Sequence, residues 1–149
     1  MEHHAPAGVR QSWIPALCIV AVVFGGVAYS LRQRLNAPDP VIVAGRADYT
    51  NWCSPCHGPS GRGDGALGAK LDRNPADLTR IAAREDGTFR VEDLADFIDG
   101  RAMVAAHGDR DMPEWGPIFE ASAGPDPEAA GRARERLRGL TMYLWTIQR

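Results

Sequence analysis

The sequence predicts an all-α domain held behind one N-terminal transmembrane helix. Three observations predict it. Trp13 to Leu31 is a run of nineteen residues without a charge. Gly45, Tyr49 and Cys53 fall four apart and so share one helical face. Ala133, Leu137, Leu140, Leu144 and Ile147 recur at 4-3-4-3 spacing, a single apolar stripe of the kind a helix buries. The expected organisation is a short cytoplasmic N-terminus at 1–12, a transmembrane anchor at 13–31, a linker at 32–40 and one domain at 41–149. A chain of 149 residues suits one small domain plus an anchor.

The first element rests on length and flanks. At about 1.5 Å per residue the 13–31 run is long enough to span the hydrocarbon layer of a bilayer. Trp13 and Tyr29 stand near its ends, as in a membrane-interface belt. Pro15 falls in the first turn, where its missing N–H is tolerated. Gly25 and Gly26 mark a weak point or a close-packing face. Ala28-Tyr29-Ser30 is a mediocre signal-cleavage site, so an uncleaved anchor is the expectation. Cys18 reads as a small apolar packing residue. The linker, with Pro38 and Pro40, is short and stiff.

Next comes Cys53-Ser54-Pro55-Cys56-His57. Two cysteines three apart with a histidine directly after form the attachment pattern of c-type haem. On a helical turn both thiols point one way, and each adds to one vinyl group of the same porphyrin. The imidazole that follows is held under the ring to ligate iron. A structural zinc site needs four ligands, and the remaining cysteine, Cys18, is remote from any histidine. A thioredoxin-like dithiol requires a βαβ setting, whereas the flanks read as helix and glycine-rich loop. With two of three cysteines in the motif, no disulfide framework is expected. Attachment of haem takes place on the oxidising side of a membrane. That puts Arg32 and Arg34 outside and only Arg10 inside, against the positive-inside bias.

Beyond the motif, His57-Gly58-Pro59-Ser60-Gly61-Arg62-Gly63-Asp64-Gly65 is a glycine-rich loop. Val91 to Ile98 reads as a short helix with Leu94, Phe97 and Ile98 inward and a wet face of Glu92, Asp93, Asp96 and Asp99. Asp126-Pro127-Glu128 reads as a helix start, with an Asp cap, Pro first and an acid in the first turn. Arg132, Arg134, Arg136 and Arg138 are expected to form the solvated side of that helix. A net charge of −2 argues against nucleic acid as a partner. Lys70 is the single lysine, so no lysine-rich docking patch exists.

From Val41 onward the chain resembles class I cytochromes c. Gly45 and Tyr49 match the family's glycine and aromatic before the first haem cysteine, and Leu140 and Tyr143 match the leucine–aromatic pair of its last helix. The resemblance implies crossed first and last helices around one haem. The Gly61–Gly65 region resembles the family's G-x-G-D-G loop, and Asn74-Pro75-Ala76-Asp77-Leu78-Thr79 its P-x-D-L-T segment. From that likeness Pro75 is expected to offer its carbonyl to the His57 ring N–H. His107 to Gly116 resembles the distal loop H-G-x-R-D-M-P-x-W-G, which implies Met112 as the sixth ligand. Met103 and His107 stand as alternatives, while Met142, inside the last helix, reads as packing.

The site residues expected are therefore Cys53, Cys56, His57, Met112 and Pro75, with one covalent haem c. His/Met ligation closes the iron to external ligands and raises the potential. The resemblance implies a one-electron carrier and not an enzyme, anchored in a bacterial inner membrane with its haem domain in the periplasm. Its partners would be redox proteins such as a quinol-oxidising complex, a terminal oxidase or a dehydrogenase, with no small-molecule substrate. A fixed haem subunit of a multi-subunit membrane oxidoreductase is the alternative. An enzyme or gas sensor would require Met112 to be off the iron.

Overall fold

The computed structural model describes residues 14–101 and 112–149. Trp13, Met103 and His107, and the side chain of Cys18, lie outside the described residues. The chain divides into two units, residues 1–37 and 38–149. All regular elements among the described residues are helical.

The first unit contains α1, Ile14–Leu35. It runs four residues past the expected end of the anchor, so the non-helical connection shrinks to residues 36–39. Arg32 and Arg34 stand in its last turn, where cations complement the helix dipole. Ser30 back-bonds to the Gly26 carbonyl at 2.8 Å, and Gln33 donates to the Tyr29 hydroxyl at 2.8 Å. A Cβ at Gly25 or Gly26 would meet open space. Among the described residues, no helix is long and apolar enough to cross a membrane.

The second unit opens with α2, Pro40–Asp48. Asp39 caps it, its carboxylate accepting from the Val41 N–H at 2.8 Å, and Pro40 occupies the first helical position. A π-helical turn, Tyr49–Cys53, leads into the four-residue α3, Ser54–His57. After a glycine-rich loop and two short 3₁₀ turns come α4, Ile81–Arg84, α5, Val91–Asp99, and α6, Trp115–Ala123. The last helix, α7, covers Ala129–Thr146. It starts later than the Asp126 cap reading implies. Asp126 instead caps the turn leading in, accepting from the Glu128 N–H at 3.0 Å.

Helix α7 is the spine of the unit and packs against α2, α5 and α6. Its predicted stripe is buried: Ala133, Leu137, Leu140 and Leu144 join Tyr49, Cys53, Ile98, Trp115 and Phe119 in one core, with Ile147 packed against it. The α2–α7 crossing is glycine on glycine. A Cβ at Gly45 would land on the Gly139 carbonyl and the Leu140 nitrogen, and one at Gly139 would press on the Val41 carbonyl. Beside the crossing the Tyr49 and Tyr143 rings pack at 5.2 Å.

The arginine series of α7 is only partly a solvated face. Arg136 grips Asp48 with two nitrogens at 2.5 and 3.1 Å and lies 3.9 Å over the Phe119 ring. Arg132 holds Asp126 and the Ala123 carbonyl, tying the end of α6 to the start of α7. Arg134 and Arg138 are exposed. At the other end of α6, Gly116 leaves room for the Asp99 carboxylate, and Arg101 bridges Asp99 and Glu120 at 2.7 Å each.

Candidate functional site

In the Cys-x-x-Cys-His segment Cys53 closes the π-helical turn and the other four residues form α3, and a helix of four residues cannot satisfy its own carbonyls. The glycine-rich loop does so instead. The Ser54 carbonyl accepts from Gly58 N–H at 2.8 Å, Pro55 from Leu67 at 2.9 Å, Cys56 from Gly65 at 3.1 Å and His57 from Gly63 at 2.8 Å. Such close wrapping demands glycine. Gly63 sits at φ +82° with the Pro75 carbonyl against it, and a Cβ at Gly65 would strike the carbonyls of Pro55 and Cys56. The loop therefore works as a C-terminal cap that holds the motif rigid.

Tyr49 secures the same segment from below. Its ring is 1 % exposed, and its hydroxyl donates to the Gly58 carbonyl directly after His57. Burial pushes the phenol well above its usual range, aided by the neighbouring Cys53 and Tyr143, so it stays a donor at any ordinary pH. The residue that packs the helix crossing thus also positions the motif.

Cys53 and Cys56 are free thiols on the wall of one cavity, together with His57. Cys53 is buried, which pushes its thiol up to about 12, with Asp48 and Cys56 adding to the effect. His57 is shifted the other way: burial lowers its pKa, opposed by a hydrogen bond to a backbone carbonyl. That carbonyl belongs to Ala76, 3.1 Å from Nδ1. The expected partner was Pro75, and this is a correction by one residue. The Pro75 carbonyl faces Gly63 instead, while its ring packs by Gly68 and lines the cavity. A carbonyl can only accept, so Nδ1 carries the proton and Nε2 keeps the lone pair a metal needs.

The cavity measures about 650 Å³, within the range of cofactor sites. Leu71 and Leu78, Leu94, Phe97 and Ile98 of α5, Trp115 of α6, and Leu140 and Leu144 of α7 make its walls apolar. Arg73 and Asn74 supply the polar part. Phe97 is correspondingly not core, at 44 % exposure, but cavity wall. Met112 lines the same cavity and packs against the core, joined there by Pro113. Met142 lies on α7 and is not among the lining residues.

Two thiols three apart, a neutral imidazole of defined tautomer, a thioether and an apolar chamber fit a covalently attached haem. Cys53 and Cys56 would hold it by thioether bonds, and His57 and Met112 would supply its axial donors. Cys53, Cys56, His57, Met112 and Pro75, the residues expected from the sequence, all line this one cavity. Sequence reasoning missed Ala76, whose role is a backbone carbonyl and leaves no side-chain signal. It also missed Gly139, although a glycine inside a stripe of buried leucines is itself a sign of close approach.

Among protein families, the one described as cytochrome c oxidase, cbb3-type, subunit III matches residues 40–124, more than half of the chain. No curated protein and no solved structure matches it.

Proposed function

The chain belongs to the cbb3-type cytochrome c oxidase subunit III family, and from that premise we propose how this class I c-type cytochrome is deployed. It carries a covalently bound haem c at Cys53 and Cys56 and serves as a haem-based electron carrier. The bound haem supplies reversible one-electron chemistry. In our reading α1 anchors the chain in a bacterial inner membrane, the domain faces the periplasm, and single electrons pass between respiratory or photosynthetic complexes. The uncharged stretch of sequence from Trp13 to Leu31 supports the anchor.

The observation that carries the redox reading is the single cavity shared by Cys53, Cys56, His57 and Met112. His57 holds its proton on Nδ1 against Ala76 and presents Nε2. Met112 would contribute a soft thioether donor, which would favour the reduced state and raise the potential. His57 and Met112 would both hold the iron, which would leave no place for an external ligand and would suit electron transfer. The apolar walls would offer the porphyrin its packing surface.

A second reading makes the chain a fixed subunit of a membrane oxidoreductase. The matching family, described as an oxidase subunit, favours it. One experiment separates the two. A mild-detergent membrane extract is run on a native gel, then in a denaturing second dimension stained for covalent haem. A haem spot near 16 kDa that migrated natively inside a large assembly marks a subunit; the same spot migrating alone marks a tethered carrier. No covalent haem at that mass, in cells competent for haem attachment, refutes both.

A further inference from the structure

We propose that Gln148 and Arg149 are positioning residues for the axial histidine, acting through the turn that carries Ala76. The inference rests on the haem reading of the same site. The His57 ring is oriented by one hydrogen bond, Nδ1–H to the Ala76 carbonyl at 3.1 Å. Ala76 is followed by the 3₁₀ turn Leu78–Arg80, which Asp77 caps by accepting from the Thr79 N–H at 2.9 Å and the Thr79 hydroxyl at 2.6 Å. Two residues beyond α7 place five hydrogen bonds on this one turn and the residues after it. Arg149 donates its N–H to the Thr79 carbonyl at 3.0 Å, Nε to the Thr79 hydroxyl at 2.7 Å and Nη2 to Asp77 at 3.2 Å. Gln148 donates to the Leu78 carbonyl at 2.9 Å and accepts from the Ala82 N–H at 3.0 Å.

The pattern is consistent in its donors and acceptors. The Thr79 hydroxyl has one proton, given to Asp77, and a lone pair, filled by Arg149, in a residue 4 % exposed. The Arg149–Asp77 pair is half open to solvent, with side-chain exposures of 51 % and 26 %, and pairs of that kind add little. What the network does determine is the direction of the peptide that follows Ala76, and with it how squarely the carbonyl meets Nδ1–H. A firm hydrogen bond there makes the ligating imidazole more basic. A more basic ligand favours the oxidised iron. Loosening the turn therefore raises the reduction potential.

The test uses the full haem-loaded protein in detergent. Arg149→Leu and Gln148→Leu are each compared with Arg132→Leu, which removes an exposed arginine–aspartate pair elsewhere. Haem content, midpoint potential and solvent exchange of the His57 ring proton by NMR are measured. Both test variants are expected to keep full haem content, raise the potential and speed ring-proton exchange several-fold, while Arg132→Leu changes neither. Arg149→Lys, which keeps a cation facing Asp77, is expected to fall between wild type and Arg149→Leu. Potentials and exchange rates in both test variants equal to those of Arg132→Leu would overturn the proposal. Absence of covalent haem from the unmutated protein would refute the underlying reading instead.

Discussion

Gly45→Ala and Gly131→Ala make the same chemical change in two helices, and the structure predicts opposite signs. Intrinsic propensity alone favours alanine inside a helix by about 1 kcal/mol. At Gly131 in α7 a Cβ meets nothing within 4 Å, so the propensity gain survives, reduced to about 0.5 kcal/mol by its place in the first turn. At Gly45 the new carbon would overlap backbone atoms of Gly139 and Leu140. No side-chain rotation relieves a clash with backbone, so α2 and α7 must separate. Overpacking of this kind costs about 3 kcal/mol, and separation also loosens Tyr49 and Leu140, both 1 % exposed. The net loss at Gly45 is about 2 kcal/mol after the propensity gain. Thermal unfolding of the haem-loaded protein, followed by helical circular dichroism, reads this as a fall in Tm of about 8 °C against a rise of about 2 °C for Gly131→Ala. A Gly45→Ala protein as stable as wild type would refute the claim that direct backbone contact locks the two helices.

Three further outcomes follow from the same geometry. Tyr49→Phe removes one donor from the Gly58 carbonyl, which keeps the Gly61 N–H at 3.1 Å; the expected cost is about 1 kcal/mol, measured by denaturant unfolding. Met112→Leu should leave haem covalently bound, lower the reduction potential and admit carbon monoxide to the reduced protein, and an unchanged redox titration would remove Met112 as the ligand. Asp126 is held down to about 2 by Arg132 first and by the Glu128 side chain and N–H. A carboxylate with a depressed folded pKa stabilises above its unfolded value and loses that contribution as pH falls through the folded one. Acid unfolding of Asp126→Asn should therefore differ from wild type above about pH 4 and converge with it near pH 2, and a constant offset across that window would exclude this pairing.

The chemistry of this protein is written in side chains at fixed local spacing, and so the sequence alone determined it. Cys53, Cys56 and His57 must lie on one turn for two thiols and an imidazole to reach one porphyrin, and the pentapeptide guarantees that. The stripe from Ala133 to Leu144 likewise declared its buried face, because helical period and apolar burial are both local properties. What the tertiary structure decided is carried by backbone and by distance. The carbonyl that orients His57 belongs to Ala76 and not Pro75, since the Pro75 carbonyl faces Gly63. The glycine-rich loop proved to cap all four carbonyls of α3, a role invisible in composition because any residue can donate an N–H. Arg136 left the solvated face for Asp48 and Phe119, and Gln148 and Arg149 reached a turn about seventy residues away. Those pairings depend on where helices cross, and the crossing is set by two glycines whose meeting no local pattern specifies.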